Sequence, residues 1–496
     1  MAAAAEDAIL ATNPEVTPSI EEGAAGDATR RGSWGWRAPV AAVVAAGAAL
    51  LLAAAALCGG GARQPGVEPE LRPRRGLSAL APFAEGRASN RYTVMIDCGS
   101  SSSRLFVYKE EGGALVAVND RDEDEIENRS LSSFVDSPLG AGPMIGYMLR
   151  QSLDFVPERK RASTPLYIFA TAGMRLLNQS QASHVWMSVR AYLLEPRNNP
   201  YQFSPLHAKT MAGDLEGVYQ YITVQNLLHN KSIALEKKPA GERLGIMEMG
   251  GASLQVAFRP TASLLLNAFD FDLYEKREQI FVTSYLGFGV NKAMLRSFYV
   301  LAGELKGKGR VDDPCLFSGS KETVNIDGRN VTFMGTSNPW ACRLLVRKLL
   351  HLDYECLQQP CGIMGMYQPP PPKIGKFLAL SSFFYTASNL GLVGWNENKA
   401  VPPKDIKAGA RNVCQLSKKE LKRTPPYNET YASFGWDHMK TLCFSSWLVT
   451  ELLDAWEFAP DDTSVNYTRK FRGESLTWTR GAVLYQTQYM QWRKTG

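Results

Sequence analysis

The apolar and polar positions of this chain fall into short blocks, and one block occurs twice. Tyr92 to Ile96 is apolar and β-branched, the composition of a buried strand. The run closes on a carboxylate, Asp97. Gly99 then permits a tight turn, and Ser100, Ser101, Ser102 and Ser103 follow before apolar residues resume from Leu105 to Tyr108. The order is strand, turn, strand. It recurs from Arg243 to Phe258, where Ile96-Asp-Cys-Gly-Ser100 aligns with Met247-Glu-Met-Gly-Gly251, the copies starting 151 residues apart. Between the copies, Ile145–Val156 and Ser180–Leu194 have helical spacing, and Thr164–Ala170 reads as a buried strand running into the small-residue turn Thr171-Ala-Gly-Met-Arg175. Val218, Tyr221, Ile222, Val224 and Leu228 predict an amphipathic helix over 214–228, with Glu216 at its start. Helical spacing returns over Met439–Trp456 and in the Ser475–Tyr485 stretch. Two strand–turn–strand units a domain's length apart predict a duplicated α/β domain with both turns facing one cleft; chance similarity of a short pattern is the alternative.

The turns carry the candidate chemistry. Serine hydroxyls and successive backbone N–H groups cradle phosphate oxygens. Asp97 and Glu248, each ending a strand, have the oxygen ligands that Mg²⁺ and Ca²⁺ prefer. Glu216 is a carboxylate able to deprotonate a water, and Ser253 and Gln255 are placed to hold that water. A plain helix-start carboxylate is the other reading of Glu216. Together these groups point to metal-assisted phosphoryl transfer to water. The absence of a Walker lysine motif argues against a P-loop enzyme.

Other features set the context. Ala38–Cys58 is an uncharged stretch of 21 residues preceded by Arg30, Arg31 and Arg37, which predicts a signal anchor with the N-terminus cytoplasmic; a cleaved signal peptide is the alternative. Residues 1–37 read as a disordered tail and 59–89 as a stalk. No second stretch of comparable length follows, so a single-pass type II protein is expected. A net charge of +6 on 496 residues leaves no nucleic-acid footprint. Six of the eight cysteines lie in the C-terminal half and read as disulfides. Many connectivities are open, and pairing of sequence neighbours (Cys315–Cys342, Cys356–Cys361, Cys414–Cys443) is the expected one. Sequons at Asn128, Asn178, Asn230, Asn330, Asn428 and Asn466 fit N-glycans and a lumenal location. The acidic run 121–127 lacks calcium-loop spacing and reads as a solvated loop.

Five stretches in order make the resemblance specific: Asp97-Cys-Gly-Ser-Ser-Ser-Ser-Arg104, Ala170-Thr-Ala-Gly-Met-Arg175, Glu216-Gly-Val-Tyr-Gln-Tyr-Ile-Thr223, Glu248-Met-Gly-Gly-Ala-Ser-Leu-Gln255 and Trp478-Thr-Arg-Gly-Ala482. The chain resembles the nucleoside triphosphate diphosphohydrolases, the apyrase family, over roughly Asn90 to Trp492. Thr164–Ile168, Tyr285–Gly289 and Asp313–Cys315 resemble most its intracellular Golgi and lysosomal UDP-preferring branch. The resemblance implies two actin-like (RNase H-like) lobes: lobe I over 90–212, completed by about 465–496, and lobe II with the disulfides over 213–464. It implies Glu216 as catalytic base, Ser253 and Gln255 on the attacking water, and Thr171 and Arg175 lining the cleft. Gly99, Ser100, Ser101, Ser102, Gly250, Gly251 and Ala252 would bind phosphates. Asp97 and Glu248 would hold Ca²⁺ or Mg²⁺ through waters, Tyr385 would stack on the nucleobase, and Trp478 would pack.

The chain departs from the family in places. Glu248 stands where Asp is usual, Ser102 where close relatives often have Gly, Tyr221 and Gln225 where Trp and Asn are common, and Arg480 in place of a Leu. The expected activity is hydrolysis of nucleoside di- or triphosphates, UDP and GDP among them, in the secretory lumen, Golgi first. The alternatives are a catalytically weakened nucleotide-binding ectodomain and a sugar kinase or exopolyphosphatase of the same fold.

Overall fold

The computed structural model describes residues 91–487 except 112–113, 120–125, 231–242, 274–275, 305–308, 373–375 and 472. The expected tail, anchor and stalk lie outside the described residues, as do most of the acidic run and Cys58. No helix among the described residues is long and apolar enough to cross a membrane.

The architecture is α/β, with two large mixed sheets and a small three-stranded one of Arg310–Asp313, Lys321–Ile326 and Arg329–Gly335. The first uses β1 (Tyr92–Cys98), β2 (Ser103–Glu111), β3 (Ala114–Ala117), β4 (Ile126–Glu127), β5 (Leu166–Ala170) and β6 (Ala208–Thr210), in the order β3-β2-β1-β5-β6 with β4 also on β2. β1 pairs antiparallel with β2 and parallel with β5. The second sheet is built on β7 (Leu244–Met249), β8 (Ser253–Phe258), β9 (Ala268–Leu273) and β10 (Lys276–Leu286). There β7 pairs antiparallel with β8 and parallel with the Lys376–Ser381 strand, beyond which lies Val465–Tyr467, again parallel. Both sheets thus place a hairpin on one side of a central strand and two parallel strands on the other. Because β1 and β7 occupy the same place, Asp97 and Glu248 both fall at strand ends.

Three apolar cores follow from this layering. Val94, Ile96 and Ile168 pack behind the first sheet against the Ala141–Gln151 and Gln179–Leu194 helices. Met247, Val256 and Ala379 pack behind the second sheet against helices that include Val290–Glu304 and Leu442–Ala455. The third core contains Met95 and Phe169 from the first sheet, Ile246 and Leu378 from the second, and Val218, Ile222 and Val483 from two helices, Gly213–Asn230 and Trp478–Gln486. Each central strand is therefore covered on both faces, which is why β1 and β7 read as continuous apolar runs and not as alternating ones.

The 213–230 helix differs from the amphipathic one expected. Every residue from Glu216 to Leu227 is buried, because apolar surface lies on several sides of it. Two of its polar positions are tied to neighbouring backbone, Thr223 Oγ1 donating to the Thr477 carbonyl at 2.8 Å and Gln225 Nε2 to the Leu244 carbonyl at 2.7 Å, whereas the Gln220 amide is buried with no partner among the described residues. The helix also approaches its 478–486 neighbour closely. A Cβ on Gly481 would lie 1.9 Å from the Tyr219 carbonyl oxygen.

The three disulfides have the expected pairing, Cys315–Cys342, Cys356–Cys361 and Cys414–Cys443, and Cys98 is free and buried. The Cys342, Cys414 and Cys443 sulfurs lie close together, but as disulfide sulfurs they are not metal ligands.

Gly481→Ala forces the two central helices apart. It is expected to lower stability by about 1–3 kcal/mol, the usual cost of overpacking, read as a drop in thermal or urea midpoint. An unchanged midpoint would show that the helices do not pack this closely.

Candidate active site

Two turns face one cleft. Asp97, Gly99, Ser100, Ser101 and Ser102 line it from the β1–β2 turn, and Glu248, Gly250, Gly251, Ala252 and Ser253 from the β7–β8 turn, around a volume of about 490 Å³. The turns are nearly in contact: a Cβ on Gly251 would come within 2.9 Å of the hydroxyls of both Ser100 and Ser101. Thr171, Glu216, Tyr385 and Trp478 line the same cleft. Arg175 and Gln255 are not among the lining residues; they stand behind Glu216 and Ser253.

The β7–β8 turn is held from behind by the N-terminus of the 290–304 helix. The Val290 N–H donates to the Gly250 carbonyl, and the N–H groups of Asn291 and Lys292 both donate to the Gly251 carbonyl, all at 3.0 Å. In a trans peptide the N–H points opposite to the C=O. Fixing these two carbonyls on the helix therefore directs the N–H groups of Gly251 and Ala252 away from it. Gly289, just before the helix, allows this approach, because its Cβ would sit 2.3 Å from the Ala252 nitrogen.

Glu216 is the best-connected carboxylate. Its Oε2 accepts from Arg175 Nη2 at 2.8 Å and from Gln255 Nε2 at 3.2 Å. The same two donors reach Ser253 Oγ, Arg175 at 3.1 Å and Gln255 at 2.8 Å, and Gln255 also donates to Ser284 Oγ at 3.0 Å. The two hydrogens of Gln255 Nε2 are shared among Glu216, Ser253 and Ser284, and Ser253 Oγ, facing N–H donors, keeps its own proton to donate. Burial raises the pKa of Glu216, opposed by the Arg175 guanidinium.

Asp97 and Glu248 lie in a different setting. Asp97 Oδ1 and Glu248 Oε2 are buried with no hydrogen-bond partner among the described residues. Glu248 Oε1 accepts from Ser381 Oγ at 3.2 Å, and the Trp478 side chain hydrogen-bonds to Asp97. Burial pushes Asp97 up to about 7, with Arg104 opposing and Glu216 adding to the shift. Burial, with repulsion from Glu216 and Asp97, pushes Glu248 up to about 8. Two enclosed carboxylates, each with an orphaned oxygen and each disfavoured as an anion, make a donor set that a hydrated divalent cation would complete.

Tyr385, expected to stack on a base, stacks on Trp395 with ring centroids 5.8 Å apart. Beyond it the cleft is lined by Asn389 and His438, whose side chains hydrogen-bond at 3.0 Å. Sequence reasoning gives no role to Asn389, His438, Ser284, Arg104 or Ser381. Asn389 has a local signal in its one-turn spacing from Tyr385, and Arg104 in closing the first turn, where it pairs with Asp97 across the hairpin; His438 and Ser381 reach the cleft, and Ser284 the Gln255 amide, through pairings that no local pattern encodes.

A family model described as the GDA1/CD39 (nucleoside phosphatase) family matches residues 84–495. The chain belongs to that family, and it is a nucleoside phosphatase, a hydrolase. Among its relatives, Ectonucleoside triphosphate diphosphohydrolase 8 of Gallus gallus is 29% identical over 430 residues, covering 80% of this chain and 83% of the relative. Ectonucleoside triphosphate diphosphohydrolase 7 of Pongo abelii is 28% identical over 457 residues, covering 81% and 74%. Of solved structures, a nucleoside triphosphate hydrolase from Neospora caninum shares the fold at a TM-score of 0.56 and 15% identity, covering 80% of this chain and 93% of that one.

The raised carboxylates make stability depend on pH. A carboxyl whose folded pKa lies above its unfolded value stabilises fully at low pH and loses that contribution as pH rises. Without divalent ions, the melting temperature should fall as pH rises from the ordinary carboxyl range toward about 7 and about 8, and level off above. Asp97→Asn with Glu248→Gln should flatten that fall. An equal pH slope in the double variant would place the titrating groups elsewhere.

Proposed function

We propose that this chain hydrolyses nucleoside di- and triphosphates, UDP and GDP among them, to lower phosphates and orthophosphate. The convergence of Glu216 with Arg175, Ser253 and Gln255 beside two serine–glycine turns carries this reading. The like order of the two sheets supports a duplicated, actin-like pair of lobes with the reaction between them. The relatives' names speak of nucleoside triphosphate diphosphohydrolases, in keeping with such substrates.

In this reading, hydroxyls of Ser100, Ser101 and Ser102, the Gly99 turn and the N–H groups of Gly251 and Ala252 hold the phosphates; the Gly250 N–H, expected to join them, is instead donated to the Ser253 carbonyl at 3.0 Å across the hairpin. Thr171 supports the first turn, its N–H donating to the Cys98 carbonyl at 3.1 Å. Ser253 and Gln255 position the attacking water, and Glu216 takes its proton. Arg175 fixes the carboxylate's orientation and favours the anion that a base must be, against the opposing effect of burial. Asp97 and Glu248 would hold Ca²⁺ or Mg²⁺ through waters, and the bound cation would neutralise charge on the phosphates. Tyr385 would offer its free face to the nucleobase.

The sequence further supports a single-pass type II protein with its folded part in the secretory lumen, Golgi first. Asn128, Asn178 and Asn330 are exposed and suit glycans, whereas Asn428 and Asn466 are half-buried; the Asn230 side chain lies outside the described residues.

The test is phosphate release by the purified full chain from UDP, GDP, UTP and ATP, with Ca²⁺, Mg²⁺ or excess chelator. Release with a cation and its loss on chelation are expected. Glu216→Gln should lose about a hundredfold or more in kcat, the usual worth of a general base, while still binding nucleotide. No release from any nucleotide with either cation would refute the reading, and so would full turnover by Glu216→Gln.

A further inference from the structure

Ser381 combines two observations that neither packing nor helix capping explains. It ends the Lys376–Ser381 strand, in parallel register with β7, where Leu380 is paired with Glu248 and Ser381 with Met249. It also precedes the Ser382–Asn389 helix as its N-cap. A serine there ordinarily accepts a hydrogen bond from the first helical turn, which satisfies an otherwise orphaned N–H. Ser381 makes no such bond. Its hydroxyl donates instead to Glu248 Oε1 at 3.2 Å. Its backbone is at φ 54° and ψ −124°, a left-handed conformation unfavourable for a residue with a Cβ.

A strained backbone and a forgone cap persist only where the surroundings require them. Here the unusual conformation turns the hydroxyl from its own helix toward the neighbouring strand end. There it meets a glutamate whose other oxygen, Oε2, has no hydrogen-bond partner among the described residues. A glutamate has one more rotatable bond than an aspartate, and an untethered one must be immobilised before it can help organise a cation's water shell. The helix that follows also carries Ser382, Tyr385, Thr386 and Asn389 into the cleft wall. One turn of chain therefore joins Glu248 to the wall reserved for the organic part of the ligand.

We infer that Ser381 is a positioning residue for divalent-cation binding: its hydroxyl holds Glu248 in the single rotamer that leaves one carboxylate oxygen for the hydrated ion. The inference rests on the reading of Asp97 and Glu248 as the cation's residues, and it assigns to Ser381 the task that the longer Glu248 side chain creates.

Mn²⁺ binding to the nucleotide-free full chain, followed by the loss of the free-ion paramagnetic resonance signal, tests it without reference to turnover. Ser381→Gly keeps the backbone conformation, which glycine adopts without strain, and removes only the hydroxyl. It should weaken Mn²⁺ binding roughly tenfold, the scale of a hydrogen bond to a charged group, with the melting temperature unchanged or raised. Glu248→Asp draws the carboxylate back beyond the hydroxyl's reach. In that background Ser381→Gly should change Mn²⁺ affinity less than about twofold, the non-additivity expected of residues in contact. Parent affinity in Ser381→Gly, or an undiminished effect of it in the Glu248→Asp background, overturns the inference. A parent chain that binds no Mn²⁺ overturns it together with the cation reading. Absence of phosphate release by a chain that binds Mn²⁺ in the expected order removes the proposed reaction and leaves the role of Ser381 standing.

Discussion

Asp97, Glu216 and Glu248 lie within electrostatic reach of one another, Glu216 buried and the other two half-buried with an enclosed oxygen each, and Glu216 repels both of the others. Burying one unpaired carboxylate is costly, and burying three together is more so. The fold answers each differently. Glu216 receives a charge-assisted bond from Arg175 and an amide from Gln255. Asp97 receives the Trp478 indole, and Glu248 the Ser381 hydroxyl. Glu216 is ion-paired with Arg175 at 2.8 Å, which opposes the upward push of its burial, whereas Asp97 and Glu248 feel Arg104 through space. The other two are left with a deficit of positive charge. That asymmetry is what the proposed division of roles needs, with Glu216 as base and Asp97 and Glu248 as the pair whose ionisation would be linked to an arriving cation.

The two turns can be read from the sequence because everything they need is local. A strand ends, a carboxylate is exposed at its edge, and glycine and serine make the turn; all of this fits within a dozen residues and occurs twice. Glu216 is legible by its place at a helix start. Its partners are less so, because Arg175 lies 41 residues before it and reaches Ser253 across 78 residues. Ser381 and Glu248 are 133 residues apart, and nothing in either local pattern announces the other. The helix at 213–230 shows the converse failure. Its apolar spacing is plain, but a one-dimensional pattern reports how a helix could be buried on one face. It cannot report that a second sheet waits on the other, so Gln220, Thr223 and Gln225 read as solvent-facing when they are core.

The departures from the family pattern acquire physical content in the same way. Tyr221 and Gln225 lie on this doubly covered helix. Gln225 ties it to the start of β7 through the Leu244 carbonyl, and Tyr221 sits edge-on to Phe271 at 6.3 Å in the central core. Both changes adjust packing one to three turns beyond Glu216 without touching its hydrogen bonds. Ser102, by contrast, lies in the cleft itself, where it adds a hydroxyl to the β1–β2 turn. Glu248 lengthens the arm opposite by one methylene. These two changes face each other across the space where phosphate and cation would meet, so they bear on ligand selection and the helix changes do not.

Arg480, in place of a leucine, puts a guanidinium into the layer between the sheets. It is 3% exposed, and burying it is tolerable only because its nitrogens reach the Leu115 carbonyl and, at 2.6 Å, Glu474 Oε2. Its neighbour Thr479 shares a 2.7 Å hydrogen bond with Tyr108 of β2. A polar seam therefore runs from β3 and β2 to the start of the 478–486 helix, where a leucine would have supplied apolar contact alone. Trp478 is the first residue of that helix. It stacks on Phe169 with planes 7° apart and bonds to Asp97, so it unites the packing role expected of it with contact to the site. Hydrogen bonds have directions and apolar contacts do not. The Arg480 and Thr479 bonds thus tie the start of this helix, and Trp478 with it, to β2 and β3 in a direction that apolar contact alone would leave free.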